Sequence, residues 1–428
     1  MYITIRGCLY PYSFARMIAR CVIILLGIIS SLCLSSCHDD DNSLSNREEN
    51  EAIYEIMKEY YLWYNEIPPI EELDLEANPE EFFYSLLSDK DGSPQKGYYS
   101  YITIDNNDFL GTPYMGFGML YLPETLQISF VEQNSPAAKA GIHRGDFIRA
   151  IEGIRTTSAN IVEILASQVN ETMFTIGRWN EEKGREEELD ILVPGREMLN
   201  PSVILLDTIY TGTHVGKVGY LAYKEFLSGL VDQPELYLDE LKQLFVQFNS
   251  AGVKHLILDL RDNLGGDINV CHQLCTMIAP REAMGKVFFI GKRNDKNENF
   301  TYLFDSESVG EETLLDVEKL VVIVDINSAS ASEVVIHCLK PYLGDHLQVV
   351  GTKTYGKNVG MDIQKVPGTP WAIVPITFYC LNCNGEYEYS DGLEPDVYIE
   401  DDLSGKVYPL GDRQEPLLKK AMQVMGAE

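Results

Sequence analysis

Apolar positions change their spacing along the chain, and the changes divide it into zones. From Ser43 to about Phe109, Ile53, Met57, Tyr60, Tyr61 and Tyr64 recur at intervals of three and four. That is the period of an amphipathic helix, which Pro68-Pro69 would end. A second helix is predicted over Pro79–Leu87, with Glu80 and Glu81 in its first turn. This zone reads as a small helical cap with its aromatic stripe as a core face. From about Thr112 to Pro194 short strands are predicted at Phe117–Tyr121, Leu126–Val131 and Phe147–Ile151, the last before a turn at Glu152-Gly153. Between them Ser135 is placed as an N-cap, Pro136 at the first helical position and Gly141 after the last turn, which describes one short helix.

From about Pro201 strands and helices alternate. Val218–Leu221 reads as a strand. Pro234–Ala251 reads as a helix carrying Leu238, Leu241, Leu244, Phe245 and Phe248 on one stripe and ended by Gly252. His255–Leu260 is a continuous apolar strand of the kind buried on both faces. Leu320–Val324 and Gln348–Val350 follow as strands, with Ser328–Leu339 helical between them. The alternation predicts a layered α/β domain.

The first residues change the picture differently. Residues 1–36 hold Arg6, Arg16 and Arg20 and no acid, and the apolar run Cys21–Leu34 is short for a bilayer span. A basic start, a short apolar run and small residues before a cut describe an export signal peptide. Leu34-Ser35-Ser36-Cys37 resembles a bacterial lipobox, which implies that Cys37 becomes the lipidated first residue of the mature chain. His38-Asp39-Asp40-Asp41 looks like the surface-export tag of Bacteroidetes lipoproteins. The expected location is therefore the cell envelope, at the outer membrane and displayed on its surface. The expected organisation is a signal peptide (1–36), an acidic linker (37–47), an N-terminal helical domain (48–110), a β-rich domain (111–196) and an α/β domain (197–428).

Of 428 residues 34 are Lys or Arg and 65 are Asp or Glu, a formal charge of -31. Loss of residues 1–36 would take this to about -34. Phosphate-mediated nucleic-acid binding is excluded by that balance, and the lipid on Cys37 is left as the membrane contact. Nine cysteines are too sparse for a disulfide scaffold. Cys380-Leu381-Asn382-Cys383 has no second Cys or His pair at zinc spacing, and no metal, nucleotide, flavin or other cofactor is expected.

Three loops of the α/β domain carry candidate chemistry. Asp259-Leu260-Arg261-Asp262-Asn263-Leu264-Gly265-Gly266-Asp267 follows a buried strand, and its glycine pair either makes a tight turn or aims free N–H groups at a substrate oxygen. Asn327-Ser328-Ala329-Ser330-Ala331-Ser332-Glu333 joins a strand to a helix. A serine there is either an exposed nucleophile or a cap paired with Glu333. Thr354-Tyr355-Gly356-Lys357-Asn358-Val359-Gly360 places a lysine between glycines. A desolvated amine there could take a proton from a serine, and with no histidine in these loops a Ser-Lys pair is favoured over a Ser-His-Asp triad.

Asn134–Asp146 is similar to the S-P-A-x-x-A-G-(I/L)-x-x-G-D pattern of PDZ domains. The resemblance implies a groove that takes an extended C-terminal peptide, with Met115-Gly116-Phe117-Gly118 as the candidate carboxylate loop. The three loops together resemble the S41 serine peptidases, the C-terminal processing or tail-specific proteases, from about residue 112 to 400. The pattern closes on Gly392-Leu393-Glu394-Pro395-Asp396-Val397. The resemblance implies a multidomain α/β protein with a crotonase-like protease domain, Ser330 as nucleophile and Lys357 as general base. It implies an oxyanion hole from Ala331 and one of Gly265 and Gly266, and protein or peptide substrates with accessible C-termini. Glu333 would orient Lys357 or cap its helix. Two departures are visible. Several family members have K-G-x-x-Q, but Met361 stands at the glutamine position and Gln364 comes three residues late. The stretch around Pro341–His346 is longer than the family pattern. A rival reading is a catalytically silent peptide-binding lipoprotein acting through the PDZ groove.

Overall fold

The computed structural model describes residues 44–93, 97–104, 110–403 and 405–428. The expected signal segment, Cys37 and most of the acidic linker lie outside these residues. Among the described residues no helix is long and apolar enough to cross a membrane.

The N-terminal domain starts with helix α1 (Asn46–Tyr60), capped by Ser45 and Glu48 in a capping box. It buries Ile53, Tyr54 and Met57. The helix ends well before the prolines, contrary to the periodicity. Tyr61 turns to an extended conformation and Leu62 N–H donates to the Ile376 carbonyl, so a tertiary backbone bond draws the chain out of the helix. Helix α2 (Pro79–Ser85) is capped by Asn78. Strand β1 (Tyr101–Thr103) then pairs antiparallel with Ala372–Val374 of the C-terminal domain. The two parts share a core in which Met57, Tyr61, Phe82 and Phe83 pack with Val359, Ile373 and Ile376.

The second domain is β-rich. Tyr114–Gly116 pairs with Glu197–Leu199, Met119–Tyr121 with Ile128–Val131, and Phe147–Ile151 with a long hairpin of Thr172–Asn180 and Arg185–Val193. The expected strand Phe117–Tyr121 is shorter because Gly118 takes φ +74. That hairpin, rich in glutamate on its second strand, gave no apolar run by which to find it. The short helix Pro136–Lys139 has Ser135 accepting from Ala138 N–H, as predicted. This domain rests on Asp401, Leu403 and Tyr408: Gln127 donates to the Leu403 carbonyl (2.6 Å), and Arg144 donates to the Tyr408 carbonyl (3.1 Å) and to Asp401 (2.5 Å).

The third domain is built on a six-stranded sheet in the order β2 (Ile204–Gly212), β3 (Gly216–Tyr223), β4 (His255–Asp259), β5 (Lys319–Val324), β6 (Leu347–Gly351) and Val397–Tyr398. The first pair is antiparallel and the rest are parallel. Helices α3 (Leu236–Ala251), α4 (Ile268–Ile278) and α5 (Ala331–Leu343) cover one face, and α6 (Pro416–Met425) covers the other. Leu256, Leu258, Leu320 and Val322 point to the first face, while Ile257, Val321 and Ile323 meet Leu417, Leu418 and Met422 on the second. Burial on both faces explains why these strands read as continuous apolar runs. Pro341 sits inside α5, beyond the predicted end of the helix. The His337 carbonyl, which a proline cannot serve, accepts from Asn382 Nδ2 (3.5 Å).

Strands β4, β5 and β6 are neighbours and parallel, so the loops leaving their carboxyl ends meet above one edge of the sheet. Below the first of these loops Arg261 is buried, reaching Asp259 (2.6 Å), Asp401 (2.8 Å) and Glu415 (3.0 Å). Arg261→Ala would leave Asp259 and Glu415 buried without their cation. The expected loss is about 3–5 kcal/mol of unfolding free energy, measured by urea denaturation.

Candidate active site

The three loops enclose one wall of a cavity of about 1660 Å³, lined by Gly265, Gly266, Ser330, Ala331 and Lys357 together with Tyr355, Met361, Phe378 and Cys380. The cavity therefore brings together five of the residues singled out by sequence.

Asn263 fixes the first loop. Its Nδ2 donates to the Tyr223 carbonyl (2.8 Å), its Oδ1 accepts from Gly265 N–H (2.9 Å), and its carbonyl accepts from Ala329 N–H (3.0 Å) and Ser332 Oγ (3.0 Å). Gly265 and Gly266 take φ +100 and +136. A Cβ on Gly265 would lie 2.8 Å from Ser330 Cβ and 2.9 Å from Ala331 N, so only glycine lets the loop approach the serine so closely. The N–H groups on either side of Gly266 are used, Gly265 on Asn263 and Asp267 on the Phe226 carbonyl. No hydrogen bond from Gly266 N–H or Ala331 N–H is found among the described residues.

Ser330 stands at the junction of β5 and α5 with φ +56, a conformation that L-residues adopt at a cost of about 1–3 kcal/mol. Ser328 Oγ donates to the Leu260 carbonyl (2.8 Å) and Tyr355 N–H donates to the Ser328 carbonyl (3.0 Å), so the serine loop is held between the other two. Glu333, fully buried, joins all of this. Its carboxylate accepts from Ser330 N–H (2.9 Å), Thr354 Oγ1 (2.6 Å), Gly356 N–H (2.7 Å) and Lys357 N–H (2.8 Å). Burial pushes the Glu333 carboxyl up from its ordinary range, and the four donors oppose the rise. Glu333 thus closes the helix start and holds the main chain of Lys357.

Desolvation pushes the Lys357 amine down to about 8, partly offset by Cys380, Asp91 and Glu333. Its Nζ lies 5.4 Å from the centre of the Tyr99 ring. Tyr99, with Asp91, Ser100 and Tyr101, lines the cavity from the N-terminal domain. Sequence reasoning missed these residues, because no periodicity or motif distinguishes Tyr98-Tyr99-Ser100-Tyr101 from an ordinary aromatic turn.

The other candidates fall elsewhere. Gln364 lies in a short strand opposite Ile373, outside the cavity lining, whereas Met361, Asp362 and Ile363 belong to it. Met115 is exposed on the strand opposite Met198. Phe117 is buried and meets Phe174 edge-on at 5.2 Å. Gly118 approaches Ser135, whose Oγ donates to its carbonyl (3.2 Å). Cys380 and Cys383 are free thiols, and among the described residues no three His, Cys, Asp or Glu side chains gather as a metal group.

Residues 217–399 match the model of peptidase family S41, residues 48–101 that of the peptidase S41 N-terminal domain, and residues 127–174 that of a PDZ domain. Residues 217–399 thus form a peptidase family S41 domain, preceded by that family's N-terminal domain. The chain is 26% identical over 313 residues to a protein of Staphylococcus epidermidis named as a CtpA-like serine protease, across 71% of this chain and 57% of that one. A Staphylococcus aureus (strain N315) protein of the same description is 25% identical over 300 residues, across 69% and 53%. The chain thus spans little more than half the length of these curated relatives. The crystal structure of a Bacteroides fragilis NCTC 9343 protein assigned to the S41 proteases superposes with a TM-score of 0.76 at 28% identity, covering 87% of this chain and 96% of that one. A photosystem II D1 C-terminal processing protease shares the fold at a TM-score of 0.50 and 15% identity, covering 90% and 98%.

The depressed amine can be checked without any substrate. Acylation of Lys357 by an amine-selective reagent, followed by peptide mass spectrometry across pH, is expected to show a midpoint near 8. A midpoint at the ordinary 10.5 would contradict the desolvated pocket.

Proposed function

We propose that the chain is an exported serine endopeptidase that hydrolyses peptide bonds of protein substrates with a Ser330-Lys357 pair. The observation that carries this reading is the Lys357 amine, desolvated enough to be neutral near pH 8, in the same cavity as a strained serine at a helix start. In this scheme the neutral amine takes the proton of Ser330 Oγ as that oxygen bonds to the scissile carbonyl carbon. The negative charge gathers on the carbonyl oxygen, where Gly266 N–H and Ala331 N–H are available as donors. The proton passes from Lys357 to the departing amine, the C–N bond breaks, and an acyl-Ser330 ester remains. Water, deprotonated by the same amine, then releases the acid and restores the serine. Gly266 is favoured over Gly265 as donor because the Gly265 N–H is already spent on Asn263.

Glu333 serves this scheme as a positioning residue, fixing the backbones of both partners, and Gln364 takes no part in it. The PDZ match supports recognition of substrate tails in the second domain. With Phe117 buried, the main chain of Met115-Gly116-Phe117-Gly118 is what could receive a terminal carboxylate. Export and lipid attachment at Cys37 rest on the lipobox-like tetrad and the acidic residues after it. On this reading the enzyme is a lipoprotein of the cell envelope.

Cleavage of an unstructured protein by the wild-type chain, beside folded Ser330→Ala and Lys357→Ala variants, tests the scheme. Wild type should cut, both variants should lose nearly all turnover, and blocking the substrate's C-terminus should slow cutting if tails are recognised. An inert wild-type chain would favour the peptide-binding role instead. Because Lys357 must be uncharged, kcat/KM should rise with pH through a midpoint near 8, and a profile flat from pH 6 to 9 would contradict the assigned base. Gly265→Ala should cost about 100-fold or more in kcat by crowding Ser330 and Ala331 N, as read from initial rates.

A further inference from the structure

Lys357 sits where two domains meet. The lysine loop runs into Val359–Met361, which pairs with Ile376–Leu381, and that second strand brings Phe378 and Cys380 to the cavity. Opposite lies the N-terminal domain, through Asp91, Tyr99, Ser100 and Tyr101. The Tyr99 ring centre is 5.4 Å from Lys357 Nζ and 6.3 Å from the ring centre of Tyr355. Among the described residues no hydrogen bond from Lys357 Nζ is found, and the Tyr99 ring faces the amine. At that distance a ring attracts an ammonium ion without offering a hydrogen bond to the lone pair of the neutral amine.

Tyr99 is itself held from both sides. Asp91 is 1% exposed and accepts from Tyr99 N–H (3.0 Å), Ser100 N–H (2.9 Å), Ser100 Oγ (2.5 Å) and Tyr61 Oη (2.8 Å). Ser100 Oγ in turn accepts from Ile376 N–H (2.8 Å), and Tyr101–Thr103 pairs with Ala372–Val374. A carboxylate of the N-terminal domain thus fastens the tyrosine to the strand that flanks the lysine.

We propose that Tyr99 is a positioning residue for Lys357, so that the N-terminal domain completes the catalytic centre and is more than a cap on the protease domain. The inference rests on the Ser-Lys reading. The ring does two things there. It excludes water from one side of the amine, and it stabilises the ammonium that forms once Ser330 has given up its proton. The lone pair stays free to face the serine, which a hydrogen-bond donor on the amine would prevent.

The test is the pH dependence of kcat and KM for cleavage of an unstructured casein by the full chain and by Tyr99→Phe, Tyr99→Leu and Tyr99→Ala variants, with Lys357→Ala as control. Tyr99→Phe keeps the ring and should stay within about threefold of wild type. Tyr99→Ala should lower kcat about tenfold or more with KM changed less than about twofold. It should also move the acid limb upward from about 8 toward 10.5, because water entering the gap relieves the desolvation. The lost ring attraction acts the other way and is the smaller effect. Tyr99→Leu, which leaves less space for water, should fall between the two and serves if the alanine variant does not fold. An acid limb unmoved in Tyr99→Ala, a change confined to KM, or a Tyr99→Phe as damaged as Tyr99→Ala would overturn the proposal. Wild-type turnover in Lys357→Ala would overturn the Ser-Lys reading itself, an outcome separate from any of these.

Discussion

The carboxylate of Glu333 is the constraint on which the site depends. Four donors from two loops converge on a fully buried side chain, three of them backbone N–H groups of Ser330, Gly356 and Lys357. A buried carboxylate is costly unless its lone pairs are used, and here they are used by the residues that must be registered against each other. The loops after β5 and β6 are thereby fixed to one point, while Asn263 ties the loop after β4 to the same assembly. The backbone of Ser330 can keep its positive φ because both its N–H and the helix that follows are held.

In the proposed scheme a rigid frame of this kind leaves Ser330 and Lys357 little to do but exchange a proton. Lysine makes a useful base only where water is scarce, and in the proposed scheme the walls around the amine come from two domains. The protease domain supplies Phe378 and Cys380, and the N-terminal domain supplies the aromatic face. Shared cores and a shared sheet between the first and third domains serve the same end, since a wall that drifted would admit solvent. The second domain is attached differently. It rests through Arg144 and Gln127 on Asp401, Leu403 and Tyr408, and Arg144 shares Asp401 with the buried Arg261 below the glycine loop.

Much of the α/β domain was legible because its central strands are buried on both faces and α3 carries a clear stop, whereas α5 runs past its predicted end to Leu343. The apolar run at His255–Leu260, the stripe of α3 and the left-handed Gly252 all follow directly from residue type. The three loops stood out because small residues and one lysine sit where strands end. What was hidden depends on contacts between parts distant in sequence. Helix α1 stops at Tyr60 because Leu62 finds Ile376, more than 300 residues away, and no local pattern encodes that bond. Asp91 and Tyr99 are undistinguished in sequence, and the pairing of β1 with Ala372–Val374 together with the Ser100–Ile376 bond carries them to the lysine. The choice between the two glycines was equally closed to sequence, because it depends on which N–H Asn263 consumes.

The central claim is that Ser330 is a nucleophile because Lys357 is a neutral amine. The most direct test is covalent labelling of Ser330 by a serine-directed fluorophosphonate, located by peptide mass spectrometry, in wild type and in Lys357→Met across pH 6 to 10. Labelling should fall on Ser330, grow with pH through a midpoint near 8, and all but vanish in Lys357→Met. Equal labelling of the two proteins, or a label carried by another residue, would contradict the account.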